Sequence, residues 1–193
     1  MTTSFDPNKV LLIGENPFIR LSAGPDAPIT TNASFWRVIY SPKGPGHVLF
    51  LKSELTENEW SIWSDNIALT RWLQDTVQGV LNQELRDTGI PVIDADFEFS
   101  GDLRSFWTEH IHSDDEDLSL TWYDIGEPML RHTQPFNQPD RPYGVATVLI
   151  PCGGARLTLN GEQAVGTPQP RDWEGRPFSS CALAFAESWT EWP

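Results

Sequence analysis

Glu187 lies in the run CALAFAESW (181–189), where strict alternation puts it on one strand face with Cys181, Leu183, Phe185 and Trp189, and leaves Ala182, Ala184 and Ala186 on the other. A carboxylate among large apolar neighbours needs a cation or a proton. Burial then lifts its pKa toward the range useful for a general acid or base. The competing reading is a strand-end carboxylate that reaches water or pairs with Arg37, Arg131 or Arg156. A second candidate group is His110 and His112, two apart in the stretch WTEHIHSDDEDLSLTWYDIGEPMLRH (107–132), which holds three of the four histidines. On a strand both project to one side, opposite Trp107, Glu109 and Ile111, and so could share a proton-transfer step or a metal ion. Tyr40 and Asp124 complete the candidate acid–base set.

The ligand-binding candidates are aromatic. The chain has nine tryptophans in 193 residues, more than a core of this size needs. Trp63, Trp107, Trp122 and Trp189 fall on strands, where each offers a large apolar surface with one N–H donor. Arg37 shares a face with Phe35 and Ile39 and joins them as a binding candidate. Trp173 and Trp192, in loop and tail, are placed to cover a mouth. Core filling accounts for such residues at least as well. No GxSxG, GxGxxG or GxxxxGK[ST] occurs, so serine-triad and phosphate-loop chemistry find no support.

The elements that must position these groups are mostly strands. FWRVIY (35–40), HVLFLKS (47–53) and ENEWSIW (57–63) cluster β-branched and aromatic residues around the turn SPKGPG. HVLFLKS is apolar on both faces and should be covered on both sides. One long helix is predicted over 65–86, capped by Ser64 or Asp65. Leu69, Trp72, Leu73, Val77, Val80, Leu81 and Leu85 form its stripe, with Arg71, Gln74, Asp75, Gln78 and Asn82 outside. Gly79 inside it suggests a close approach to a strand. PVIDADFEFSG (91–101) is a half-exposed strand. The 107–132 stretch is a hairpin turning at 113–117, and a proline-rich loop at 134–142 follows. Asn160-Gly161 between alternating runs signals a type I′ hairpin. Residues 1–34, with prolines at 7, 17, 25 and 28, read as an arm lying over a single domain of residues 35–193.

Eight or nine closely spaced strands with one inserted helix predict a mainly β fold, an antiparallel barrel or, alternatively, a β-sandwich or jelly roll. The pattern over 35–189 resembles lipocalin-like and calycin-like barrels. In particular, VLIPCGGARLTLNGE followed by SSCALAFAESW looks like the closing strands of small bacterial proteins of that type. The glycine-x-tryptophan signature of secreted lipocalins is not seen. Because the resemblance covers carriers, hydratases, isomerases and cyclases alike, it leaves the chemistry open. HIHSDDE, with Glu116 after the two histidines, also partly matches the first cupin motif, in which His-x-His and a glutamate hold a transition metal. The match stops there: the preceding glycine, Gly101, is too distant, and His132 with Asn137 follows too soon to supply the second motif. A non-metal pair is the stronger reading, and no bound metal is expected. The acidic run 114–117 lacks the glycine and ligand spacing of an EF-hand and reads as an exposed turn.

Composition narrows the function classes. Twenty-seven acids against 13 bases give a net charge of −14, which disfavours nucleic acid and anionic membrane surfaces. No apolar run approaches the ~20 residues of a membrane-spanning helix. The start MTTSFDPNKVLLIGENPF lacks the pattern of a secretory signal, so a cytoplasmic location is expected. Cys152 and Cys181 are expected to be free core thiols. The resulting expectation is a small cofactor-independent enzyme (lyase, isomerase, hydratase or cyclase) acting on a hydrophobic or polycyclic molecule in a tryptophan-lined cavity, with a homodimer as a further partner to consider. The alternatives are a non-catalytic carrier and a metal-dependent cupin-like enzyme. A buried titratable group facing the cavity separates enzyme from carrier, whose cavity should be nearly all apolar.

Overall fold

Alternating apolar and polar residues become strands almost wherever they occur. The computed structural model describes residues 9–133 and 143–191, and the chain is mainly β with one bent helix. The N-terminal half contributes β1 (Val10–Glu15), β2 (Phe18–Ser22), β3 (Ile29–Tyr40), β4 (Gly46–Ser53), β5 (Trp60–Ser64), α1 (Ile67–Asp75) and α2 (Val77–Leu81). Next come β6 (Val92–Asp94), β7 (Asp96–Gly101), β8 (Phe106–His112), β9 (Asp117–Ile125) and β10 (Met129–Thr133). The last part forms β11 (Tyr143–Leu159), β12 (Glu162–Gln163), the hairpin β13 (Pro170–Trp173) and β14 (Arg176–Ser179), and β15 (Ala182–Glu191). The predicted loop at 134–142, Asn137 and Trp192 lie outside the described residues.

Thirteen strands share one sheet, whose main path runs β6-β5-β4-β3-β1-β15-β11-β9-β8-β7. This is more than the eight or nine strands expected, and the sheet is mixed because β5 and β6 pair in parallel. The pairing path is open rather than closed into a barrel. Its two ends are nonetheless neighbours in the chain: only Ala95 separates β6 from β7, and the Ala95 N–H donates to the Ser64 carbonyl at 3.3 Å. The segment expected as an arm supplies strands to the interior of this sheet. β1 pairs on one side with β15 and on the other with β3, and β2 also pairs with β3.

Apolar residues on both faces of β3–β5 divide into two cores, as the composition of HVLFLKS requires. The first contains Phe35, Leu49, Trp63, Trp107, Ile111, Trp122, Cys152 and Leu183. The second contains Trp36, Val48, Phe50, Ile62, Trp189 and the apolar face of the helix. Period two assigns neighbours to opposite sides, so Phe35 enters the first core and Trp36 the second.

The helix differs from its prediction in three ways. Its cap is Asn66, whose side chain accepts from the Leu69 N–H at 3.0 Å, rather than Ser64 or Asp65. It bends at Thr76 (φ −104°, ψ −86°), separating α1 from α2, and ends in a 3₁₀ turn at Gln83–Arg86. Gln74 before the bend and Gln78 after it are buried, while Leu81 is exposed. Burial is satisfied in both cases. Gln74 donates to the Leu85 and Asp87 carbonyls, each at 2.9 Å. The Gln78 side-chain oxygen accepts from Trp36 Nε1 at 2.9 Å and Ser34 Oγ at 3.2 Å. Gly79 answers to the bend as well: a β-carbon there would collide with the Gln74 carbonyl oxygen, a group of its own helix and not of a strand.

Candidate active site

A pocket of about 660 Å³ opens on the helix side of the sheet, not inside the first core. β11 and β15 form its back through Val145, Thr147, Leu149, Glu187 and Trp189, and Val80 and Leu81 of α2 contribute one side. Phe18 and Arg20 of β2, Arg131 of β10, and Arg171, Trp173 and Phe178 of the β13–β14 hairpin complete the wall.

An irregularity places Glu187 there. In β15, Phe185 pairs with Val148 and Ser188 with Ala146, so Ala186 and Glu187 together oppose the single residue Thr147. This is a β-bulge, and Ala186 takes the left-handed conformation (φ 52°) that makes it. One extra residue reverses the facing of everything after it. Leu183 and Phe185 therefore pack on the first core, whereas Trp189 enters the second. The single face expected for Cys181 through Trp189 is corrected by this bulge: Glu187 and Trp189 leave the side of Cys181, Leu183 and Phe185.

Glu187 is 5% exposed. Trp189 Nε1 donates to its Oε1 at 2.7 Å, and the Thr147 hydroxyl lies within hydrogen-bond reach of the carboxyl. Among the described residues it forms no salt bridge, so Arg37, Arg131 and Arg156 are not its partners. Burial pushes the carboxyl up to about 7 against the opposing pull of those two hydrogen bonds. The Trp189 ring rests on Trp36 in the second core, with ring centroids 6.3 Å apart. The donor that orients the carboxyl is thus itself held by packing.

A second buried carboxylate, Glu109, lies on the opposite side of the sheet. It shares the inner face of β8 with Trp107 and Ile111 and is 1% exposed. Arg37 Nη2 donates to both its oxygens at 2.7 and 2.8 Å, and Arg37 Nη1 donates to Glu15 at 2.6 Å. Trp107 Nε1 donates to Glu109 at 2.7 Å, and the guanidinium lies 4.8 Å from the Phe99 ring centroid. Burial raises the Glu109 carboxyl, opposed first by the charge of Arg37. Unlike Glu187, this group is an ion-paired part of the core. Its sequence signal was available, since a glutamate between Trp107 and Ile111 on an alternating strand is an inward carboxylate.

The remaining candidates are dispersed. His110 and His112 occupy the outer face of β8, with His110 Nε2 3.0 Å from Ser100 Oγ and His112 Nδ1 2.6 Å from the Asp117 carboxylate. Neither lines the pocket with Glu187. Tyr40 is half exposed at the end of β3, and Asp124 is exposed at φ 51° on β9. Trp63, Trp107 and Trp122 fill the first core. Trp63 donates to Glu116 at 2.7 Å and Trp122 to the Phe18 carbonyl at 3.0 Å. Of the predicted set, only Glu187 and Trp189 meet in the pocket. Trp173, expected at a mouth, lines it as well. Among the described residues, no three His, Cys, Asp or Glu side chains are grouped to hold a metal ion. No described helix is long and apolar enough to cross a membrane. Comparison with family models, with curated proteins and with solved structures finds no match to this chain.

Proposed function

We propose that the chain is a small acid–base enzyme that binds a hydrophobic small molecule against β11, β15 and α2 and moves a proton through Glu187. The observation that carries this reading is a buried carboxyl in the pocket wall with no salt-bridge partner among the described residues. A carrier gains nothing from such a group, because an unpaired buried acid costs stability without adding apolar contact. With its pKa near 7, Glu187 is divided between both protonation states at neutral pH and can take or give a proton with little driving force lost. Trp189 fixes its orientation before substrate arrives. Lyase, isomerase, hydratase and cyclase reactions all fit such a group. The calycin-like reading of the architecture belongs to the same proposal. It is supported by the near meeting of the sheet's two ends at Ala95, around a first core drawn from strands along the whole path.

Proton transfer leaves a trace even when the product is unknown. Hydrophobic organic compounds incubated with the protein in D₂O should include one that incorporates solvent deuterium or changes mass, as read by mass spectrometry. Glu187→Gln keeps the shape and removes the titrating proton, so it should abolish that signal while the compound still quenches tryptophan fluorescence. Undiminished turnover in the Gln variant would falsify the assignment.

A further inference from the structure

Three of the ten arginines, Arg20, Arg131 and Arg171, line this one pocket of a chain whose net charge is −14. Among the described residues, none of the three forms a salt bridge, and no side-chain hydrogen bond joins their guanidinium groups to a protein acceptor. Arg131 stacks on Trp173, its guanidinium carbon 3.4 Å from the ring centroid, and Arg20 lies 5.2 Å from the Phe18 ring centroid. Both are held by aromatic faces, which leaves their N–H groups available. Two carboxyl groups share the lining with them. Asp172 uses Oδ1 to accept from the Gly175 N–H in the β13–β14 turn, and Glu187 holds a proton for part of the time at neutral pH. Arg20 keeps an exposed surface, yet crowding by surrounding atoms depresses its pKa, and the like charge of Arg171 adds to this. Arg131 has the charge of Glu174 close by, whereas Arg20 and Arg171 repel each other at the cavity, and an anion between those two relieves that repulsion.

We propose that the ligand of this pocket is amphiphilic, with an apolar body on the Val145, Leu149 and Trp189 wall and one oxyanion group held between Arg20 and Arg171. The deep position of Glu187 and the exposure of Arg20 and Arg171 place the anion at the open side, away from the proton-transferring carboxyl. Repulsion between two carboxylates then favours the productive orientation over the reversed one. This assignment rests on the pocket being the ligand site and specifies what kind of molecule enters it.

The test uses two fluorescent probes with the same aromatic body. 8-Anilinonaphthalene-1-sulfonate carries an oxyanion, and N-phenyl-1-naphthylamine does not. The sulfonate should bind the wild-type protein about tenfold or more tightly than the neutral probe, the effect expected of one charge-assisted contact. The double variant Arg20→Gln/Arg171→Gln should erase that difference by weakening only the sulfonate, whereas Arg104→Gln, outside the pocket, should leave it intact. Dodecanoate and dodecyl phosphate should displace the bound sulfonate better than dodecan-1-ol, and their order identifies carboxylate or phosphate as the preferred group. Equal affinities for the two probes in wild type, or an equal loss of sulfonate binding in Arg104→Gln, would overturn the oxyanion assignment alone. Leu81→Trp narrows the cavity from α2 and should weaken both probes. If it weakens neither, the pocket is not where they bind, and the underlying reading fails instead.

Discussion

Glu187 and Glu109 are both buried carboxyls hydrogen-bonded to a tryptophan two residues away, but Glu109 has the cation Arg37 and Glu187 has no salt-bridge partner among the described residues. That difference gives them opposite responses to substitution. For Glu187 the folded pKa of about 7 exceeds the ordinary value of 4.5. The native state therefore holds a proton that the unfolded chain releases, so stability is full below pH 4.5 and falls as pH rises through 7, by about 1.4 kcal/mol per unit within that window. Glu187→Gln should flatten this slope, and urea midpoints at pH 5 and pH 8 should show the variant gaining on the wild type at the higher pH. An unchanged slope would mean that the carboxyl is ionised in the native state. Arg37→Met, by contrast, strands Glu109 without its cation and should destabilise the fold by about 3–5 kcal/mol near pH 8. Adding Glu109→Gln should restore most of that loss. Failure of the second substitution to rescue the first would show that Arg37 acts through Glu15 or its stacking on Phe99 rather than through Glu109.

At the scale of elements, the bend in the helix and the bulge in β15 each reverse an ordinary rule of substitution. Alanine normally stabilises a helix relative to glycine by about 1 kcal/mol. At Gly79 it meets the Gln74 carbonyl, so Gly79→Ala should destabilise by about 1–3 kcal/mol, as overpacking does. A higher thermal midpoint for this variant would show that the bend relaxes freely. Exposed positions normally tolerate most side chains within about 0.5 kcal/mol. Ala186 is exposed but left-handed, where a β-branched residue is strained. Ala186→Val should therefore cost about 1–2 kcal/mol and Ala186→Gly almost nothing, a contrast that denaturant titration of the two variants resolves.

On the scale of the molecule, two cores share one sheet, and both thiols belong to the first. Burial pushes Cys152 up to about 12 and Cys181 up to about 11, so neither forms a thiolate near neutral pH, and each is walled in by strands. Ellman's reagent should find no reactive thiol in the native protein and two in denaturant, the labelling rate in water following global opening. Fast labelling of one thiol would reveal a separate local opening of β11 from β15. Much of this organisation was legible in the chain. Period-two runs announced the strands, and HVLFLKS announced burial on both faces. The apolar repeat announced the helix, and CALAFAESW announced an inward carboxylate. What stayed hidden was the side on which each group ends. The bulge carries no glycine to betray it, and Trp63, Trp107 and Trp122 look the same in sequence whether they fill a core or line a cavity. The bend at Thr76 is equally silent, and so is the fold-back of residues 85–87 that gives Gln74 its buried partners, so the apolar repeat alone places Gln74 and Gln78 outside. The pocket arginines come from β2 and β10 of the large sheet and from β13 of the separate β13–β14 hairpin, segments far apart in the chain that only the fold brings together.

The bulge at Ala186 makes the chemistry of the pocket a matter of counting. Every substitution preserves the number of residues, so mutational scanning by replacement leaves the facing of β15 untouched. Loss of a single in-frame codon at 186 removes the bulge and keeps the facing as well: Glu187 then follows Phe185 directly and still points into the pocket opposite Thr147, with Trp189 opposite Val145. The exchange of an acid for two hydroxyls belongs instead to a full-length β15 paired without the bulge, which would turn Glu187 into the first core beside Phe185 and Ser188 and Thr190 toward the pocket. The site is written as much in the pairing of β15 as in its letters.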